Sequence, residues 1–109
     1  MSTLSTHVLD TAIGKPAQGI KVTLERTDDL IGSGVTDADG RVRELHKQDA
    51  PLSQGSYALT FYVADYFSKA GREFFFHEIV VNFRIGADAE DYHVPLLLSP
   101  FGYSTYRGS

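Results

Sequence analysis

The chain has no cysteine, which removes disulfides, thiol nucleophiles and thiolate metal sites together. The redox compartment stays open, because a cysteine-free chain folds in either setting. Basic residues are in the minority. Ten lysines and arginines face 14 aspartates and glutamates, for a formal net charge of −4 and a pI near 5.4. That balance argues against nucleic acid, whose binders carry a basic stripe. No apolar run approaches the roughly 20 residues of a membrane-spanning helix. The opening MSTLSTHVLD lacks both the basic and the apolar region of a signal peptide. The closing Arg-Gly-Ser is not a peroxisomal Ser-Lys-Leu tripeptide. These absences predict a cytoplasmic protein with no membrane and no nucleic-acid partner.

Several catalytic signatures are also missing. There is no Gly-x-Ser-x-Gly elbow, no phosphate loop and no His-Glu-x-x-His zinc helix. His46 and His77 stand apart from the other two histidines without metal-ligand spacing. DADG at residues 37–40 has the look of a calcium loop, but no glutamate follows at the required offset and no helices flank it. The expectation is a protein with no metal and no cofactor.

What is present is alternation. With 109 residues, 42% hydrophobic and 22% charged, the chain is read as a single folded domain, residues 1–109. Ile20, Val22 and Leu24 share one phase; so do Tyr57, Leu59, Phe61 and Val63, and Ile79, Val81, Phe83 and Ile85. Turn signals separate these runs: TAIGKPAQG, DADG, PLSQG and GADAED. Short strands spaced by turns predict an all-β sandwich or barrel. One stretch departs from the pattern. ADYFSKAG predicts a single short helix, with Asp65 as N-cap and Gly71 as its stop.

Phase also sorts the polar residues. If Leu4, Thr6 and Val8 face the core, His7 points outward beside Ser5 and Leu9. Val94, Leu96 and Leu98 form one face, leaving His93, Pro95, Leu97 and Ser99 on the other. An outer face bearing Leu9, Pro95 and Leu97 is partly apolar, which predicts that a partner covers it. The competing readings are a solvated surface histidine for His7 and a histidine merely buried at an oligomer contact for His93. In the tail, Ser104, Tyr106 and Gly108 share a phase opposite Tyr103, Thr105 and Arg107. Alternation does not say which phase is outward. Arg107 is open to a structural ion pair or a substrate contact.

In order along the chain, THVLDTAIGKPAQGIKVTLER, TDADGR, YFSKAG, FFFHEIVVNF and YHVPLLLSPFGYSTYRGS resemble the transthyretin-like proteins over nearly the whole length. The closing Tyr-Arg-Gly-Ser, with His7, Arg41 and His93, resembles the 5-hydroxyisourate hydrolase branch and not the hormone-carrier branch. The resemblance implies a sandwich of two four-stranded sheets with one short helix, assembled as a homotetramer, a dimer of dimers. The outer faces would line a channel whose ends are active sites. It implies hydrolysis of a lactam bond in 5-hydroxyisourate, a product of urate oxidation, to 2-oxo-4-hydroxy-4-carboxy-5-ureidoimidazoline. In the implied roles His7 is the base, Arg41 clamps the anionic ring and holds a nearby histidine neutral, and His93 orients or relays the proton. Tyr106 would contact the flat substrate, and Ser109 would contribute its hydroxyl and carboxylate. The alternative is a transthyretin-like carrier of a small aromatic ligand without catalysis.

Overall fold

The alternation in LSTHVLD becomes strand β1 (Leu4–Asp10), in which every second residue from Leu4 to Asp10 is buried and Ser5, His7 and Leu9 are half-buried. It opens a chain of short elements in a computed structural model that describes residues 3–46, 52–87 and 91–108. The others are β2 (Lys15–Pro16), β3 (Lys21–Arg26), β4 (Asp29–Val35), β5 (Arg41–Val42), β6 (Gly55–Tyr62), helix α1 (Ala64–Lys69), β7 (Ile79–Ile85), β8 (Tyr92–Ser99) and β9 (Gly102–Thr105). Two sheets result. One runs β4-β3-β6-β7; the other runs β2-β1-β8-β9, with β5 also paired to β1.

Among the described residues the second sheet thus has five strands, where four were expected. The difference lies at one edge of β1. Leu9 and Asp10 pair with Pro16 and Lys15 of β2, while Thr6 and His7 pair with Val42 and Arg41 of β5. Two fragments from either side of the β3–β4 hairpin therefore share one strand position. Neither exceeds two residues, so the sandwich keeps four positions in each layer.

The inner faces meet as the phases predict. Val8, Leu96 and Leu98 from one sheet and Val22, Leu24, Leu59 and Phe61 from the other all lie in one buried cluster. Full burial of each such side chain stabilises by roughly 1.5–3 kcal/mol. Two buried polar groups of β1 are satisfied. Thr6 donates to the Val94 carbonyl at 2.6 Å. The Asp10 side chain, 0% exposed, accepts from Arg72 at 2.7 Å and from the Tyr66 hydroxyl at 2.8 Å. Burial alone would raise the Asp10 carboxyl, but the bonds from Arg72 and Tyr66 outweigh it and hold the group below its ordinary value.

The helix is where expected, but its start is not. Val63, not Asp65, occupies the N-cap position and supplies no side-chain bond. The chain enters α1 directly from β6, and the Ala64 amide is already satisfied by the His77 carbonyl at 3.1 Å. Asp65 instead lies in the first turn, where a negative charge suits the positive end of the peptide dipoles. Gly71 follows the helix at φ +66°, the left-handed position that glycine fills without steric cost.

Candidate active site

His7 and Arg41 were 34 positions apart in sequence with nothing to connect them. The antiparallel pairing of β1 with β5 sets them directly opposite each other. Paired residues project from the same face of a sheet, so the imidazole and the guanidinium share the outer face. The turn between Asp37 and Arg41 makes this possible. Gly40 adopts φ +75°, and a β-carbon there would sit 2.4 Å from the Val8 carbonyl oxygen. Only glycine lets the turn lie that close to β1, where the Val8 amide donates to the Gly40 carbonyl at 2.7 Å.

His93 arrives from the opposite flank. Strand β8 runs parallel to β1, with Ser5 opposite His93, His7 opposite Pro95 and Leu9 opposite Leu97. Those six residues occupy the outward phase of both strands. The Ser5 hydroxyl and His93 Nδ1 share a hydrogen bond of 2.8 Å, which leaves Nε2 for a substrate or water. Burial, then the charge of Arg41, then that of His7, hold the His93 pKa below its ordinary value. The Arg41 charge expected from sequence to keep a histidine neutral therefore acts on His93. His7 Nε2 lies 2.8 Å from the Asp39 carbonyl oxygen.

The tail lies on the far side of β8. Leu97 pairs with Ser104 and Leu98 with Tyr103, and His93 bridges to Gly108 in the same register. This resolves the ambiguity of phase: Ser104, Tyr106 and Gly108 share the outward side with His93. Gly108 packs against the histidine so tightly that a β-carbon would fall 2.6 Å from His93 Cδ2 and 3.2 Å from Pro95 Cγ. Tyr106 is 57% exposed. Arg107 belongs to the opposite phase, its guanidinium 4.7 Å from the ring centroid of the buried Tyr92. Ser109 lies outside the described residues.

A cleft of about 460 Å3 is lined by Thr3, Ser5, Arg41, Asp91, Tyr92 and His93. A slightly larger one, about 510 Å3, lies between the edge strands β7 and β9 and touches neither His7 nor His93. Arg41 and His93 line the smaller and Tyr106 lines the larger, while His7 lines neither. Among the described residues no three histidine, aspartate or glutamate side chains gather as a metal site would require, and no helix is long and apolar enough to cross a membrane. The sequence pointed to Asp37 only as a turn residue and gave no role to Ser5 or Gly108. DADG carried a signal for Asp37 as a turn acceptor, whereas Ser5 and Gly108 become partners of His93 only through pairing.

Fold and site together define a two-sheet sandwich with a histidine–arginine–histidine cluster on the outer face of one sheet. The sequence profile of the HIUase/Transthyretin family matches residues 4–108, and the chain belongs to that family. It is 46% identical over 110 residues to a 5-hydroxyisourate hydrolase of Salmonella dublin, covering 97% of this chain and 80% of that protein. The solved structure of Klebsiella pneumoniae 5-hydroxyisourate hydrolase superposes with a TM-score of 0.90 at 43% identity, over 100% of this chain and 94% of the other. Sea bream transthyretin, solved in complex with thyroxine, superposes at 0.88 with 28% identity, over 97% and 94% of the two chains.

Proposed function

We propose that this protein is a cyclic amide hydrolase that opens the six-membered ring of 5-hydroxyisourate to give 2-oxo-4-hydroxy-4-carboxy-5-ureidoimidazoline. The observation that carries the reading is the pairing of His7 with Arg41 on the outer face, with His93 on the adjoining strand. Relatives bearing that enzyme name at 46% identity support it.

Ring opening breaks a C–N bond and adds water across it. A base must take a proton from the water, and a cation must meet the negative charge that develops on the carbonyl oxygen. His93 is the base in this reading, in place of the His7 expected from sequence. Burial and the Arg41 charge keep it neutral, and a neutral imidazole accepts the proton. Such a base is worth about 10²–10⁴-fold in rate. Arg41, with a fork of N–H donors, clamps the anionic heterocycle and its developing oxyanion. Tyr106, on the same face, contacts the flat ring. The resemblance also implies a role for Ser109, which lies outside the described residues.

The assembly in this reading is a homotetramer of four 12.0 kDa chains. The outward, half-buried Leu9 and Leu97 give a partly apolar surface to cover, and among the described residues β7 and β9 end their sheets unpaired. A carrier for a small aromatic ligand would need an apolar channel wall, and two histidines and an arginine on that face count against it.

The direct test generates 5-hydroxyisourate in situ with urate oxidase and follows its ultraviolet decay with and without the protein. Acceleration that His93→Ala reduces by about 10²-fold or more is the expected result. A decay rate indistinguishable from the uncatalysed one sinks the reading. Light scattering that finds an active monomer removes the tetrameric channel.

A further inference from the structure

The hydrogen bond between His7 Nε2 and the Asp39 carbonyl at 2.8 Å has a chemical consequence. A carbonyl oxygen only accepts, so Nε2 must carry the proton. In the neutral ring the lone pair then lies on Nδ1. The backbone oxygen of a turn thereby decides which nitrogen of His7 can accept a hydrogen bond.

That oxygen is itself held. Asp37 Oδ1 accepts from the Asp39 amide at 2.9 Å and from the Arg41 amide at 3.0 Å. The Gly40 amide donates to the Asp37 carbonyl at 2.9 Å. Asp37 thus ties down the residue whose carbonyl meets His7 and, through the same oxygen atom, the residue that carries the guanidinium. The backbone bond from Arg41 is also the largest of the causes that hold the Asp37 carboxyl below its ordinary value. Its carboxylate is engaged by the turn and is exposed to solvent, not aimed into the site.

We propose that Asp37 is a positioning residue of the active site: by bracing the turn it locks His7 in the Nε2–H tautomer and sets Arg41 opposite it. His7 then offers the site an acceptor at Nδ1, suited to an N–H of the substrate or an O–H of the attacking water. The inference about turnover rests on the proposed hydrolase reading; the tautomer lock does not. Both amide bonds end on one oxygen, so asparagine can reproduce them while losing the charge. Alanine cannot.

The experiment uses the full chain with ¹⁵N-labelled histidine. Long-range proton–nitrogen spectra above the histidine titration range report which ring nitrogen of His7 is protonated, and His7→Gln assigns its signals. In the unaltered protein His7 should show the Nε2–H pattern alone. Asp37→Ala should give a mixture of tautomers and lower kcat by about ten- to a hundred-fold, as misplacement of a site group does. Asp37→Asn should restore the single tautomer and most of kcat. An Nδ1–H pattern in the unaltered protein overturns the proposal, as does an Asp37→Ala protein with one tautomer and full turnover. Loss in Asp37→Asn equal to that in Asp37→Ala overturns it too, because charge and not geometry would then be responsible. If the unaltered protein hydrolyses nothing yet shows the lock and its loss in Asp37→Ala, the hydrolase reading fails and the tautomer assignment stands.

Discussion

Replacing Gly108 with alanine adds one methyl group against the edge of His93. The new carbon would lie 2.6 Å from His93 Cδ2 and 3.2 Å from Pro95 Cγ. Carbon atoms pack comfortably at about 3.5–4.0 Å, so the imidazole or the tail must retreat by about 1 Å. Pro95 is buried in mid-strand and cannot yield. The backbone bond from the Gly108 amide to the His93 carbonyl, 2.7 Å, survives the substitution and holds the tail in place. The ring is therefore the part that moves, toward β1, where it crowds and misaligns its bond to Ser5. A displacement of about 1 Å at a reacting group costs on the order of 10²-fold, equivalent to about 2.7 kcal/mol in the barrier. The assay is the ultraviolet decay of 5-hydroxyisourate made in situ, read as kcat at saturation. The thermal midpoint, measured in parallel, should change little because Gly108 lies beyond β9 in an isolated bridge to His93. Turnover within twofold of the unaltered protein, in a folded Gly108→Ala variant, would refute the argument that this contact places His93.

Other consequences are open to measurement. Because the His93 pKa is lowered, the base form should persist below the usual histidine value of about 6.5, and activity should be lost as pH falls through the lowered value. Arg41→Gln removes one cause but leaves burial, so the acid limb of kcat should move up in pH; a limb that stays put argues against His93 as base. Arg72→Leu strands the Asp10 carboxylate, 0% exposed, without its cation, and should destabilise by about 3 kcal/mol at neutral pH in a denaturant titration. Since the folded-state pKa of Asp10 is lowered, the stability it contributes is present above its ordinary value of 3.8 and lost as pH falls through the folded value. The penalty of Arg72→Leu should shrink correspondingly in acid. Thr27 and Asp28 join β3 to β4 at φ +48° and +67°, a turn that favours asparagine at its first position and disfavours a β-branched residue. Thr27→Asn should stabilise by about 0.5–1 kcal/mol, raising the thermal midpoint by a few degrees; a fall would mean that the Thr27 side chain makes a stabilising contact of its own.

Alternation alone assigned faces. A strand turns successive side chains to opposite sides, so burial of Leu4, Thr6 and Val8 necessarily put His7 outside, and burial of Val94, Leu96 and Leu98 did the same for His93. The helix was legible from composition, although its N-cap was not. The start depended on a carbonyl from His77, 13 residues on, and no local pattern announces such a partner. Family resemblance named the candidate residues of the site, but their adjacency came from pairing. Parallel alignment of β1 with β8 brought Ser5 to His93 across 88 positions, and the short β5 brought Arg41 to His7. Phase is a property of each strand by itself, set by which side chains must leave water. Register is a property of two strands together, set by backbone hydrogen bonds that any sequence can make and by turns such as the one at Gly40 that permit only one approach. The outward direction of the histidines was therefore written in the chain, and their company was decided by the sheet.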